Sequence, residues 1–308
     1  MGHEHHEHQH RHHHEARSHS ARAFGIGVVL NLSLVLVQVV YGVVSHSMAL
    51  VADAGHNLGD VLGLVLASAA ALLAQRKPTK HRTYGYRRLT VFAALANAIL
   101  LLLATGAVMW ESVRRLRAPE VVDARTVIFV ALAGAVINGV SALLFFERRG
   151  EDLNVRAAFV HLVGDAAISL GVVAASFVML RTGWLWTDSV AAIVVSVLIL
   201  ASTWSLLRSS LNLVLDAVPE GIDIDAVRTF LEQRPNVHEV HDLHVWAMST
   251  TETALTAHLV MPTSLCGPTF LSGTCRELHE RFGIEHATLQ VDPAEAPDPC
   301  KLAPEETV

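Results

Sequence analysis

The sequence predicts an α-helical membrane protein with six transmembrane helices plus a C-terminal α+β domain. Composition is the first reason: of 308 residues, 52% are apolar and only 17% charged, with a mean hydropathy of +0.40. An average soluble domain carries about 25% charged residues. Arrangement is the second: long apolar runs fill the chain from Ala23 to about Leu207, and beyond Leu211 the composition becomes that of a soluble domain. The net charge of −6 gives no basis for nucleic-acid binding. Cys266, Cys275 and Cys300 lie far apart and read as reduced thiols, not as a disulfide framework.

Residues 1–22, MGHEHHEHQHRHHHEARSHSAR, hold nine of the 19 histidines and no apolar core. The segment is no signal peptide and cannot bury surface, so it is expected to be a disordered tail. Imidazoles in this density suit exchangeable zinc, copper or nickel.

A span needs about 20 mostly apolar residues. Six runs qualify within 23–208: Ala23–Val44, Met48–Leu73, Leu89–Val113, Thr126–Phe146, Ala157–Leu180 and Thr187–Leu207. Short polar joints with Pro78 and Pro119 separate some of them. An even number of spans places both termini on one side. With the N-terminus inside, 13 Lys/Arg fall on inner segments and 5 on outer ones, four of them Arg114, Arg115, Arg117 and Arg125. Both termini are therefore expected in the cytoplasm.

Residues 209–293 form the expected soluble domain. Helical spacing marks Ile224–Arg234 and Thr269–Phe282, and β-formers mark Val237–Ser249, Thr253–Met261 and His286–Val291. The order α-β-β-α-β suggests a small sandwich with helices on one sheet face. Residues 294–308, rich in Pro and Glu, are expected to be disordered.

Ionisable residues inside a span are costly and mark function by default. The second span places Asp53, His56 and Asp60 on one helix face, and the fifth places His161 and Asp165 at i and i+4. If the two helices pack, two imidazoles and two carboxylates converge. That nitrogen and oxygen set suits tetrahedral zinc, and no cysteine lies in any span to favour copper(I). Metal binds the deprotonated ligands, so proton and metal compete for one site, which exchange transport requires. Asp53 is expected either to orient a ligand imidazole or to stand near the entrance. Asn31, Gln38, Asn97 and Asn138 read as interhelical glue. Gly55, Gly59 and Gly63 let the second helix approach a neighbour closely, and the fifth is the neighbour expected.

The soluble part carries a further histidine set. His241 and His244 lie in V-H-D-L-H-V-W, His258 follows in the next strand, and His286 with Asp292 flanks the last. In a small sandwich these could meet at one end as ligands for regulatory zinc, with His238, His244 and His279 joining or lying on the surface.

Six spans, D-A-x-H-x-x-x-D in the second, H-x-x-x-D in the fifth and V-H-D-L-H-V-W opening the soluble domain resemble the cation diffusion facilitator family. The likeness is to its zinc-transporting branch, which includes bacterial cobalt–zinc–cadmium resistance proteins, and runs from Ala23 to Pro293. The resemblance implies a homodimer, a ferredoxin-like cytoplasmic domain, and export of divalent cations against protons by alternating access. It maps the transport ligands onto His56, Asp60, His161 and Asp165. It maps domain ligands onto His241 and His258, and beyond them His286 and Asp292, with Gln290 where some relatives have a final histidine. Two His and two Asp resemble the zinc-selective pattern, with cobalt and cadmium as further cargo. The loop RKPTKHRTYGYRR offers only His81 as a metal ligand, so no tight site is expected there.

The expected function is therefore proton-coupled zinc efflux contributing to metal resistance, in a bacterial inner membrane. Two other classes compete. A membrane metalloenzyme needs an open coordination position, which four convergent ligands do not leave, and H-E-x-x-H is absent. A zinc-sensing membrane receptor would bind the ion without moving it.

Overall fold

The structure is a computed structural model that describes residues 32–146, 153–262, 264 and 266–294. The His-rich segment 1–22, the first part of the run Ala23–Val44 and nearly all of 294–308 lie outside the described residues. The chain divides into two compact units, one comprising residues up to Leu64 with Ile99–Thr203, the other Val65–Ala98 with the chain from Trp204 onward.

An apolar helix, α1, is described over Leu32–Val44. Among the described residues, five helices follow that are long and apolar enough to cross a membrane: α2 (Met48–Ala74), α3 (Leu89–Arg117), α4 (Ala124–Phe146), α5 (Leu153–Thr182) and α6 (Trp186–Val214). At 1.5 Å per residue, such helices exceed the roughly 30 Å hydrocarbon thickness. They keep large side chains on the outside, Trp110, Phe129 and Leu144 among them, each more than 70% exposed.

Most helices outrun the hydropathy pattern for local reasons. α3 continues past Val113 because Arg114 and Arg115 both donate to Glu111, at 2.8 and 2.9 Å, across one helical turn. Their charge also complements the negative C-terminal end of the helix. α4 begins two residues before Thr126 because Asp123 caps it, accepting from the Thr126 amide at 3.3 Å and from its hydroxyl at 2.6 Å.

The first unit packs around Leu50, Ala52, Leu101, Val127, Ala131, Val172, Ala192 and Val195. The glycine flank of α2 meets a different neighbour from the expected one. A Cβ on Gly59 would lie 2.6 Å from Leu101 of α3, whereas one on Gly55 would meet nothing within 4 Å. At the start of α2, Ser47 accepts from the Leu50 amide at 3.1 Å, as an N-cap does. Buried Asp188 of α6 completes that cap: it accepts from the Ser47 hydroxyl at 2.5 Å and the Met48 amide at 2.7 Å.

The second unit contains α7 (Ile224–Glu232), β1 (Glu239–Ala247), β2 (Thr253–Met261), α8 (Pro268–Phe282) and β3 (His286–Pro293), in the expected order. The sheet order is β1-β2-β3, antiparallel between the first pair and parallel between the second. Asp223 caps α7 through the Asp225 and Ala226 amides, and Pro268 opens α8. Gly283 ends α8 at φ 65°, a left-handed conformation that glycine adopts without penalty. Val227, Leu231, Leu255, Leu259 and Leu278 form the core between helices and sheet.

Replacing Asp188 with Ala removes two strong acceptors from the start of α2. The expected loss is about 2 kcal/mol, read as a lower thermal midpoint in detergent.

Candidate metal centre

The two sequence pairs converge. His56 and Asp60 sit one turn apart on α2, and His161 and Asp165 one turn apart on α5. One ligand atom from each of the four lies within 4.8 Å of all the others. His56 Nε2 is 3.3 Å from Asp165 Oδ1 and 3.8 Å from Asp60 Oδ2. His161 Nε2 is 3.4 Å from Asp60 Oδ2 and 3.5 Å from Asp165 Oδ2. The imidazoles meet edge to face, with ring centres 6.0 Å apart.

These separations have a chemical reading. Zinc bonds to imidazole nitrogen and carboxylate oxygen run about 2.0–2.2 Å, so the edges of a tetrahedron around the ion run about 3.3–3.6 Å. The four imidazole–carboxylate separations, which involve both oxygens of Asp165, fall near those lengths. Asp165 is nearly buried, whereas the His161 side chain is 49% exposed and forms the open side of the cluster.

Asp53 lies outside this cluster. Its side chain is wholly buried, which does not suit an entrance, and none of its hydrogen bonds goes to His56. Instead Oδ2 accepts from Gln38 Nε2 of α1 at 2.8 Å and from Ser169 Oγ of α5 at 3.0 Å. Gln38 in turn accepts from Asn57 Nδ2 at 3.1 Å. Sequence reasoning found Gln38 as glue but missed Asn57 and Ser169, two neutral groups on helices already marked by charged ones. Gln38 fits because Gly134 of α4 has no side chain: a Cβ there would lie 2.9 Å from the amide nitrogen.

In the second unit His241, His258 and Asp292 come together. His241 faces His258 across the β1–β2 ladder, and His258 faces Gln290 across the β2–β3 ladder. Asp292 Oδ2 is 3.2 Å from His241 Nε2 and 3.2 Å from His258 Nδ1. Asp242, which the sequence reading passed over, lies 3.5 Å from His258 Nε2 and 2.9 Å from His244 Nε2. It occupies a β-bulge between His241 and His244 with φ 50°, a left-handed conformation that Asp tolerates better than most residues. His286 does not join the cluster. It is exposed, pairs with Ala254 at the start of β3, and meets Tyr84 edge-on with ring centres 5.7 Å apart.

Burial pushes the Asp292 carboxyl up. The Gln290 amide donating at 2.9 Å and the charges of His258 and His241 outweigh it and hold the group below the usual carboxylate range. A lowered folded value stabilises the domain above the ordinary aspartate range of about 4, and that stabilisation is lost as pH falls through the lowered value. Gln290→Leu should therefore move the Asp292 titration upward, read by carboxyl NMR of the full chain.

An intramembrane set of two imidazoles and two carboxylates, carried by a multi-pass helical membrane protein, defines a class of protein that handles cations within the bilayer. The chain belongs to the cation efflux family: the cation efflux transmembrane domain matches residues 25–215, and the cation efflux protein cytoplasmic domain matches 219–294. It is 35% identical over 267 residues to the metal cation efflux system protein CzcD of Cupriavidus metallidurans, covering 86% of this chain and 83% of that protein. It is 37% identical over 270 residues to the zinc transporter ZitB of Escherichia coli, covering 86% of each. It is 30% identical over 261 residues to the cadmium, cobalt and zinc/H(+)-K(+) antiporter of Bacillus subtilis, covering 83% and 84%. The chain is accordingly a cation efflux transporter and not an enzyme.

Proposed function

We propose that this protein exports zinc from the cytoplasm in exchange for protons, with His56, Asp60, His161 and Asp165 as the ligands of the transported ion. The convergence of two His–Asp pairs between apolar helices, with imidazole–carboxylate separations of 3.3–3.8 Å, carries this reading. The relatives named for zinc, and one named also for cadmium, cobalt and H(+), support the cargo and the counter-ion. Cobalt and cadmium are secondary cargo on the same grounds.

In this reading the described helix α1 completes a six-span domain over 23–208, and residues 209–293 form a ferredoxin-like cytoplasmic domain. The tails 1–22 and 294–308 flank them. Both termini face the cytoplasm of a bacterial inner membrane, and the protein works as a homodimer. Zinc enters by the exposed side of His161 and sheds its water onto the four ligands. A rearrangement then opens the cluster outward, where protons displace the ion from the imidazoles and carboxylates. His241, His258 and Asp292 would hold regulatory zinc that favours one arrangement of the dimer.

The test is zinc flux in proteoliposomes under an imposed pH gradient. Uptake coupled to opposite proton movement is expected for the parent, and Asp60→Ala and His161→Ala, each removing one of four ligands, should lower it by roughly a hundredfold, the upper end of what even changes to the partners of metal ligands cost. Zinc binding without flux under any gradient would leave a receptor. His241→Ala combined with His258→Ala should weaken the dependence of flux on cytoplasmic-side zinc while leaving the transport cluster competent.

A further inference from the structure

We propose that Asp53 is a separate proton-binding site, neutral when the four-residue cluster is empty of metal and ionised when metal fills it. The inference rests on the cluster reading above and adds a carboxyl that the metal does not touch. Three observations carry it. The Asp53 side chain has no exposed surface. Both of its hydrogen bonds, from Gln38 and Ser169, fall on Oδ2, and Oδ1 has no partner among the described residues. Donors on one oxygen alone hold an ionised carboxylate less firmly than donors on both. Finally, the groups packed on it from other helices are neutral: Gln38 of α1, held against Gly134 of α4, and Ser169 of α5.

The titratable groups that act on Asp53 electrostatically are His56, three residues along α2, and Asp165, four residues before Ser169 on α5. Both belong to the cluster. With no metal, Asp53 has two neutral donors on one oxygen and no hydrogen-bonded cation among the described residues, and a buried carboxylate so placed takes up a proton more readily than an exposed one. A divalent cation between His56 and Asp165 places two positive charges about one turn away, and the ionised form is then favoured. Metal arrival breaks the O–H bond at Oδ1 and sends that proton to water. Metal departure restores it from water. Asp53 thereby contributes an exchangeable proton additional to those displaced from the ligands.

The experiment counts protons released per zinc bound by the purified full chain, in weak buffer with a pH indicator. Asp53→Asn keeps the shape and mimics the neutral acid. It should release about one proton fewer per zinc, with unchanged zinc stoichiometry and an affinity within about tenfold of the parent. Ser169→Ala disturbs the same network but keeps the carboxyl, and should release as many protons as the parent. An undiminished count in Asp53→Asn overturns the proposal. So does an equal deficit in Ser169→Ala, which would assign the effect to packing. A potassium-dependent zinc affinity that Asp53→Asn abolishes, with no change in proton count, also overturns it.

Infrared difference spectra of the parent provide a readout that needs no Asp53 variant. Zinc should remove a buried carboxylic-acid carbonyl band, and Ser169→Ala should shift that band by deleting its donor. A band unmoved by Ser169→Ala does not come from Asp53 and counts against the assignment. Zinc binding undiminished in Asp60→Ala would sink the cluster reading instead. In that case the Asp53 proton is read from the same band, followed by pH alone.

Discussion

A charge inside an apolar helix has no water to lean on, and the membrane domain is organised around that constraint. Among the described residues, the three buried carboxyls of the first unit are each answered by another part of the chain. Asp188 is answered by the open amides of α2, Asp53 by an amide and a hydroxyl from two other helices, and Asp165 by two imidazoles. The first two arrangements use neutral dipoles. The third uses titratable groups on both sides, and only there do the partners suit a cation that comes and goes. What stands opposite a buried carboxylate separates the ligand of the cation from the two carboxyls that the cation does not touch.

Much of this was legible in the chain. Hydropathy located the helices because apolar length is what the bilayer selects, and the helix ends were missed where Arg–Glu pairs or an Asp cap extend the backbone beyond the apolar run. The cluster was legible because one spacing, His and Asp four apart, occurs on two helices. The network around Asp53 was not. Amides and hydroxyls are common in spans, and their partners depend on which faces meet, as when Gly59 turned toward Leu101 of α3 and not toward α5.

The soluble domain shows the same limit in a sheet. Composition offered His286 and Asp292 on equal terms, and register decided between them. Parallel pairing sets His258 beside Gln290, so Asp292 lies two residues past that row, on the same face, and His286 four residues before it. At about 3.3 Å per residue that is roughly 13 Å along the strand, out of reach of any shared ion. The bulge that carries Asp242 to His258 and His244 is likewise a backbone event, visible in the residue type only as an Asp that tolerates the conformation.

The Asp188 cap has a mechanical meaning for the cluster. By holding the Ser47 hydroxyl and the Met48 amide, it pins the leading end of α2 to the leading end of α6. A rod fixed at one end can swing only from that end. His56 and Asp60 lie two to three turns along α2 from the pin, so a small tilt there becomes a larger lateral displacement at the ligands. Any larger translation of α2 that keeps those hydrogen bonds must carry the first turn of α6 with it, which makes the two helices one moving part.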